Sequence, residues 1–143
     1  MFFTGGLDGL VCVWDTNTLQ SDYNFNLHGG IYSIGMSPVA TTHSLIAVGC
    51  RSNHVRLCDL KSGSATQTLM GHKSDVLVVQ WSPVDEYLLA TGSIDMTIRL
   101  WDIRKAGWLC CLDQYNTEHN PKSNVFEKSY TKRCTYCATI KAL

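Results

Sequence analysis

An all-β fold of repeated four-stranded antiparallel units is expected from three features. The first is a recurring stretch. Residues 5–15 read GGLDGLVCVWD, residues 49–59 read GCRSNHVRLCD, and residues 88–102 read LLATGSIDMTIRLWD. The second is spacing. The closing aspartates Asp15, Asp59 and Asp102 stand 44 and 43 residues apart, within the ~40–45 residue period of one propeller blade. The third is punctuation, because short apolar runs end at Ser-Pro, Asp-Gly or polar turn clusters rather than continuing at helical spacing.

Residues 2–20 read as the last half of a first unit. Phe2-Phe3-Thr4 ends one strand, Leu7-Asp8-Gly9 carries a hairpin signal, and residues 10–14 return. Asp15-Thr16-Asn17-Thr18 is a polar turn toward an outer strand. A second unit is expected over residues 21–70, with strands at 31–36, 45–48, 55–58 and 66–70. Ser37-Pro38 stops its first strand, and Lys61-Ser62-Gly63 turns into its last. The third unit, residues 71–114, opens on Gly71-His72. Its run from Val76 to Trp81 is so continuously apolar that packing on both faces is expected. Further strands follow at 87–91, 97–101 and 109–112.

Residues 1–114 therefore read as a partial propeller of about two and a half to three blades, short of the roughly 4–8 of a ring. The expectation is a piece of a longer ring, or a chain completed by partner surfaces. From 115 to 143 the repeat is lost and cationic residues outnumber acidic ones, so an irregular, disordered tail is expected.

Composition narrows the function. Lys and Arg number 12 against 12 Asp and Glu, a balance that argues against a nucleic-acid or membrane electrostatic footprint. No apolar run approaches the ~18 residues of a membrane span, and MFFTGGLDG lacks the basic flank of a signal peptide. The seven cysteines are odd in number and scattered, which suits a reducing compartment better than a disulfide framework.

The third unit holds the parts of an internal hydrogen-bond clamp: His72, Thr91 or Ser93, Asp95 and Trp101. A buried indole N–H needs an acceptor, and a hydroxyl can accept it while donating onward to imidazole. Asp95 can then take the other imidazole proton. Taken as an acid–base pair, His72 and Asp95 would need a cleft and a nucleophile that the pattern does not supply. The first unit keeps Asp8 and Trp14, whereas the second has Ser52 and Cys58 in those places.

The segments VWDTNTLQ (13–20), MSPVAT (36–41), CDLKSGS (58–64), LMGH (69–72), WSPVDEYLLATGSID (81–95) and LWDIRKA (100–106) carry a closer likeness. Over about residues 2–114 the chain resembles the Cockayne syndrome group A family of WD-repeat proteins. The resemblance implies a nuclear, non-enzymatic substrate receptor of a cullin-RING ubiquitin ligase, without cofactor, serving transcription-coupled nucleotide-excision repair. The partners it implies are the damaged-DNA-binding adaptor of the ligase, the Cockayne syndrome group B ATPase and RNA polymerase II. It also implies a WDxR adaptor-docking box, matched by Thr91, Gly92, Ser93, Asp95, Ile98, Leu100, Trp101, Asp102 and Arg104. Arg104 would meet adaptor acceptors at the rim with its planar fork. Asn17 and Lys61 stand at the corresponding places in the other units.

The alternative readings are a generic WD-repeat interaction module or a truncated fragment without function, whose open strand edges invite aggregation. Cys134-x-x-Cys137 is half a zinc site, with only His119 in reach along the chain, so no metal is expected. Tyr130, Lys132, Arg133 and Tyr136 read as a solvated tail rather than a nucleic-acid surface.

Overall fold

A computed structural model describes residues 1–105 and 107–113, which form three antiparallel sheets with no helix among them. The expected tail, with Cys134, Cys137 and His119, lies outside the described residues. The first sheet is β1 (Phe2–Gly5), β2 (Leu10–Trp14) and β3 (Ser21–Asn26), in the order β1-β2-β3. The second is β4 (Ile31–Met36), β5 (Leu45–Cys50), β6 (His54–Asp59) and β7 (Ser64–Met70). The third is β8 (Val76–Trp81), β9 (Leu88–Ser93), β10 (Ile98–Asp102) and β11 (Trp108–Leu112). Both four-stranded sheets run in sequence order, as a meander of hairpins does.

The repeat seen in the sequence is a repeat in register. Phe2 faces Trp14, Ile46 faces Cys58 and Leu89 faces Trp101, so the residue before each closing Asp sits on the same rung of each sheet. One boundary shifts. Residues 21–26, expected to open the second unit, pair with Leu10–Trp14 as the outer strand of the first. The polar turn at Asp15 accounts for this: its carboxylate accepts the Asn17 amide and the Thr18 hydroxyl, folding the chain straight back. The second sheet begins at Ile31.

Two apolar layers hold the sheets face to face. Between the first and second lie Val11, Val13, Phe25, Ile46, Val48, Cys50 and Cys58, among others. Between the second and third lie Leu45, Ala47, Val55, Leu57, Val79, Trp81, Leu89 and Trp101. The β5 run is buried at every position because its even- and odd-numbered residues enter different layers. The strand β8 does not behave as its apolar run suggests. Val76, Val79 and Trp81 are buried, but Leu77 and Val78 are exposed, because only one face of this sheet meets another described sheet. Trp81 also donates its indole N–H to the Gly35 carbonyl at 3.0 Å, tying β8 to β4 across the layer.

Candidate functional site

The clamp of the third sheet is a continuous chain of side chains. The Trp101 indole N–H donates to Thr91 Oγ1 at 2.8 Å, and Thr91 Oγ1 lies 2.8 Å from His72 Nε2. His72 Nδ1 lies 3.0 Å from Asp95 Oδ2. Since the indole can only donate, the Thr91 hydroxyl hands its own proton to Nε2, and Nδ1–H donates to Asp95. Thr91, not Ser93, is the linking hydroxyl. Ser93 Oγ instead donates to the Ser74 carbonyl and accepts the Asp95 amide, holding the turn that carries the carboxylate.

Electrostatics agree with a neutral imidazole. Burial pulls His72 below its ordinary value, against the opposing pull of the Asp95 bond, and nearby Arg99 adds to the lowering. Burial alone would raise Asp95, but the Thr97 hydroxyl at 2.6 Å, the Lys73 amide at 2.8 Å and His72 outweigh it. Its carboxyl titrates well below the usual carboxylate range. Both imidazole nitrogens are engaged and His72 is buried, so the pair has no free lone pair to offer a substrate. Gly71 is required by a close approach. A Cβ there would lie 2.6 Å from Arg99 Nη1 and 2.7 Å from the Trp108 ring.

The same link survives in the first sheet. The Trp14 indole donates to Thr4 Oγ1 at 2.9 Å, ten residues away, as Trp101 does to Thr91. Asp8 Oδ1 accepts the Leu10 amide as Asp95 Oδ1 accepts that of Thr97. Aligning the repeats would have pointed to Thr4, which sequence reasoning passed over. In the second sheet the Ser52 hydroxyl bonds the backbone of His54, two residues on, and Cys58 is buried with its thiol pushed up to about 11 by burial.

On one rim, the turn after β10 holds Asp102 and Arg104 together. Arg104 Nε and Nη2 donate to the two carboxylate oxygens of the buried Asp102, each at 2.8 Å. These bonds hold Asp102 down at about 2. The guanidinium also lies over the Tyr87 ring, 4.2 Å from its centroid, and half of the side chain stays exposed. Thus the fork expected to face a partner is aimed at Asp102, and the partner-facing part of Arg104 is its remaining edge. Lys105 stands beside it, 3.6 Å from Asp102.

Sequence reasoning missed what surrounds this rim. Glu86 accepts the Thr41 and Thr42 amides at 2.6 and 3.1 Å, which hold its carboxyl down at about 2. Thr42 meets the Tyr87 hydroxyl at 2.9 Å, and His43 Nε2 donates to the Glu86 carbonyl at 2.8 Å. The His43 ring packs on Tyr87 and on Trp81. The β4–β5 and β8–β9 loops are thereby latched into one surface. No periodic signal marks such cross-sheet loop contacts, since their partners lie 43 to 45 residues apart. A groove of about 480 Å³ adjoins the rim, flanked by Leu69 and Met70 of β7 and by Ile103 and Arg104. Among the described residues no group of three or more His, Cys, Asp or Glu is placed to hold a metal.

Residues 63–102 match the family model for the WD domain, G-beta repeat, which takes in β7, the outer strand of the second sheet, and β8, β9 and β10 of the third. The chain is similar to WD repeat-containing protein ATCSA-1 of Arabidopsis thaliana, 46% identical over 118 residues, covering 82% of this chain and 26% of the relative. It is also similar to Radiation-sensitive protein 28 of Saccharomyces cerevisiae, 33% identical over 110 residues, covering 73% and 22%. Ribosome biogenesis protein YTM1 of Chaetomium thermophilum is 33% identical over 106 residues, covering 71% and 21%. The chain spans about a quarter of the length of these relatives.

Proposed function

We propose that this WD-repeat chain is a non-enzymatic scaffold of the Cockayne syndrome group A type. Its role is to present substrates to a nuclear cullin-RING ubiquitin ligase during transcription-coupled nucleotide-excision repair. The observation that carries the reading is the 46% identity to ATCSA-1 across 118 residues, well above the identity to YTM1. The name Radiation-sensitive protein 28 is in keeping with a response to DNA damage.

The geometry is suited to holding a protein rather than transforming a molecule. The rim offers two cations, Arg104 and Lys105, beside an aromatic ring and a groove. Asp102 and Tyr87 preorganise the Arg104 guanidinium, which lowers the entropy lost when a partner carboxylate or carbonyl docks on its free edge. Of Trp101, Asp102 and Arg104, the residues assigned to the adaptor contact, only Arg104 is exposed; Asp102 would act by orienting its guanidinium, and Trp101 by bracing the sheet from within. The Cockayne syndrome group B ATPase and RNA polymerase II would be met elsewhere on the surface.

The test is capture of the damaged-DNA-binding adaptor by the purified chain. Wild-type chain should retain the adaptor, and Arg104→Ala should weaken retention at least several-fold; its melting temperature should fall because the buried Asp102 loses two donors, and matching far-ultraviolet dichroism at the assay temperature checks that the variant is folded. Failure of the wild-type chain to retain it would overturn the proposal. The YTM1 similarity supports a second reading, a WD-repeat interaction module serving another assembly. Retention of other partners without the adaptor would favour it.

A further inference from the structure

The groove beside the docking rim runs along a strand edge. Four consecutive residues of β7, Gln67 to Met70, line it. Side chains alternate between the two faces of a strand, so a run of neighbours lines one groove only along the backbone edge. That edge has no partner strand among the described residues, because β7 pairs with β6 alone. The strand lies inside the described chain, with β6 before it and β8 after.

Edge strands are ordinarily shielded by charge, proline, brevity or a bulge. The strand β7 is the longest described, seven residues, and Ser64–Met70 holds neither a charge nor a proline. Its bulge falls at Thr66, and Gln67–Met70 pairs with His54–Leu57 in unbroken register. The outer strand of the first sheet, β3, carries Asp22 instead. All of β7 except Leu69 is exposed, Met70 at 62%.

The opposite wall is cationic. Arg104 and Lys105 line it with side chains 54% and 59% exposed, and no acid lines the groove beside them. They share the buried Asp102, which accepts from Nε and Nη2 of Arg104 and lies 3.6 Å from Lys105. Asp85 also draws on Arg104 from outside the groove lining. The groove itself therefore presents only positive charge. Gln67 and Leu69 stand opposite Leu57 and Val55, which face the third sheet. In a strand added to β7, side chains level with Gln67 and Leu69 point the same way, toward these cations.

We infer that the groove takes an extended segment of a protein partner, added to β7 as a fifth strand, with acidic side chains at alternate positions over Arg104 and Lys105. Main-chain bonds to the β7 edge supply affinity, and the two cations select the sequence. The inference rests on the reading of this rim as a docking site and names the chemistry of what docks there.

The probe is a capped octapeptide alternating glutamate with valine, titrated into the full chain. It should bind, more weakly as salt rises, and should slow hydrogen exchange at the outward amides of Gln67–Met70 while β3 keeps its rate. A lysine–valine octapeptide reverses the charge. A glutamate–proline octapeptide keeps the charge but cannot form the ladder. Both should bind at least several-fold more weakly. Lys105→Glu should weaken the glutamate–valine peptide by a similar factor with unchanged far-ultraviolet dichroism, since the ammonium only approaches Asp102 at 3.6 Å. No binding by the wild-type chain overturns the inference, and so does equal binding of the lysine or the proline peptide. Outward amides that exchange slowly in the chain alone and do not respond to the peptide mark an edge already occupied, which also overturns it. Capture of the adaptor separates the two readings. A chain that retains the adaptor but ignores the glutamate–valine peptide loses strand addition and keeps the docking role. A chain that binds the peptide but not the adaptor keeps strand addition and loses the ligase reading.

Discussion

Thr91 is a small residue with a large structural duty. It is 1% exposed, and its hydroxyl is both the acceptor of Trp101 and the partner of His72. Thr91→Val keeps the shape but orphans a buried indole N–H and an imidazole nitrogen. It should cost about 1–3 kcal/mol in denaturant unfolding. Ser93→Ala, which breaks only the turn contacts, should cost visibly less. The clamp also sets an acid response. His72 has a folded value below its ordinary 6.5, so the unfolded chain takes up its proton first. That contribution is complete above pH 6.5 and is lost as pH falls from there toward the folded value. Asp95 is also lowered, so its contribution is present above its ordinary 3.8 and is lost as pH falls below it. Melting temperatures should therefore drop in two windows on acidification, below about 6.5 and below about 3.8. His72→Gln should flatten the first and leave the second.

The loops between strands join one sheet to the next. Glu86, in the β8–β9 loop, accepts two consecutive amides of the β4–β5 loop. Glu86→Ala removes both acceptors, and hydrogen exchange at Thr41 and Thr42 should quicken while the β9 and β10 amides keep their protection. Unchanged exchange at Thr41 would mean that the latch opens in solution. The strands themselves were legible in the sequence because β-branched and apolar runs between turn residues report local geometry. The strand Ser21–Asn26 was misassigned to the second unit because its residues, Ser-Asp-Tyr-Asn-Phe-Asn, carry one buried position. An outer strand facing water has little hydrophobic pattern to read.

Stacking between sheets is the main source of cohesion across the chain. Trp81 is 2% exposed, bonds the Gly35 carbonyl and packs beneath His43. Trp81→Ala empties the centre of the second layer and should cost about 3–5 kcal/mol. Near-ultraviolet dichroism should record looser packing between the second and third sheets. The two outer faces have no such partner among the described sheets, which is why the apolar β8 strand leaves Leu77 and Val78 in the open.

The repeat spacing, the strand pattern and the clamp residues of the third sheet could be read from residue order, because each depends on contacts within one hairpin or one sheet. Thr91 as the linking hydroxyl, the Arg104–Asp102 fork, the Glu86 latch and the two uncovered faces required three-dimensional placement. These contacts depend on how side chains orient and on which sheets meet, and neither leaves a local period in the chain.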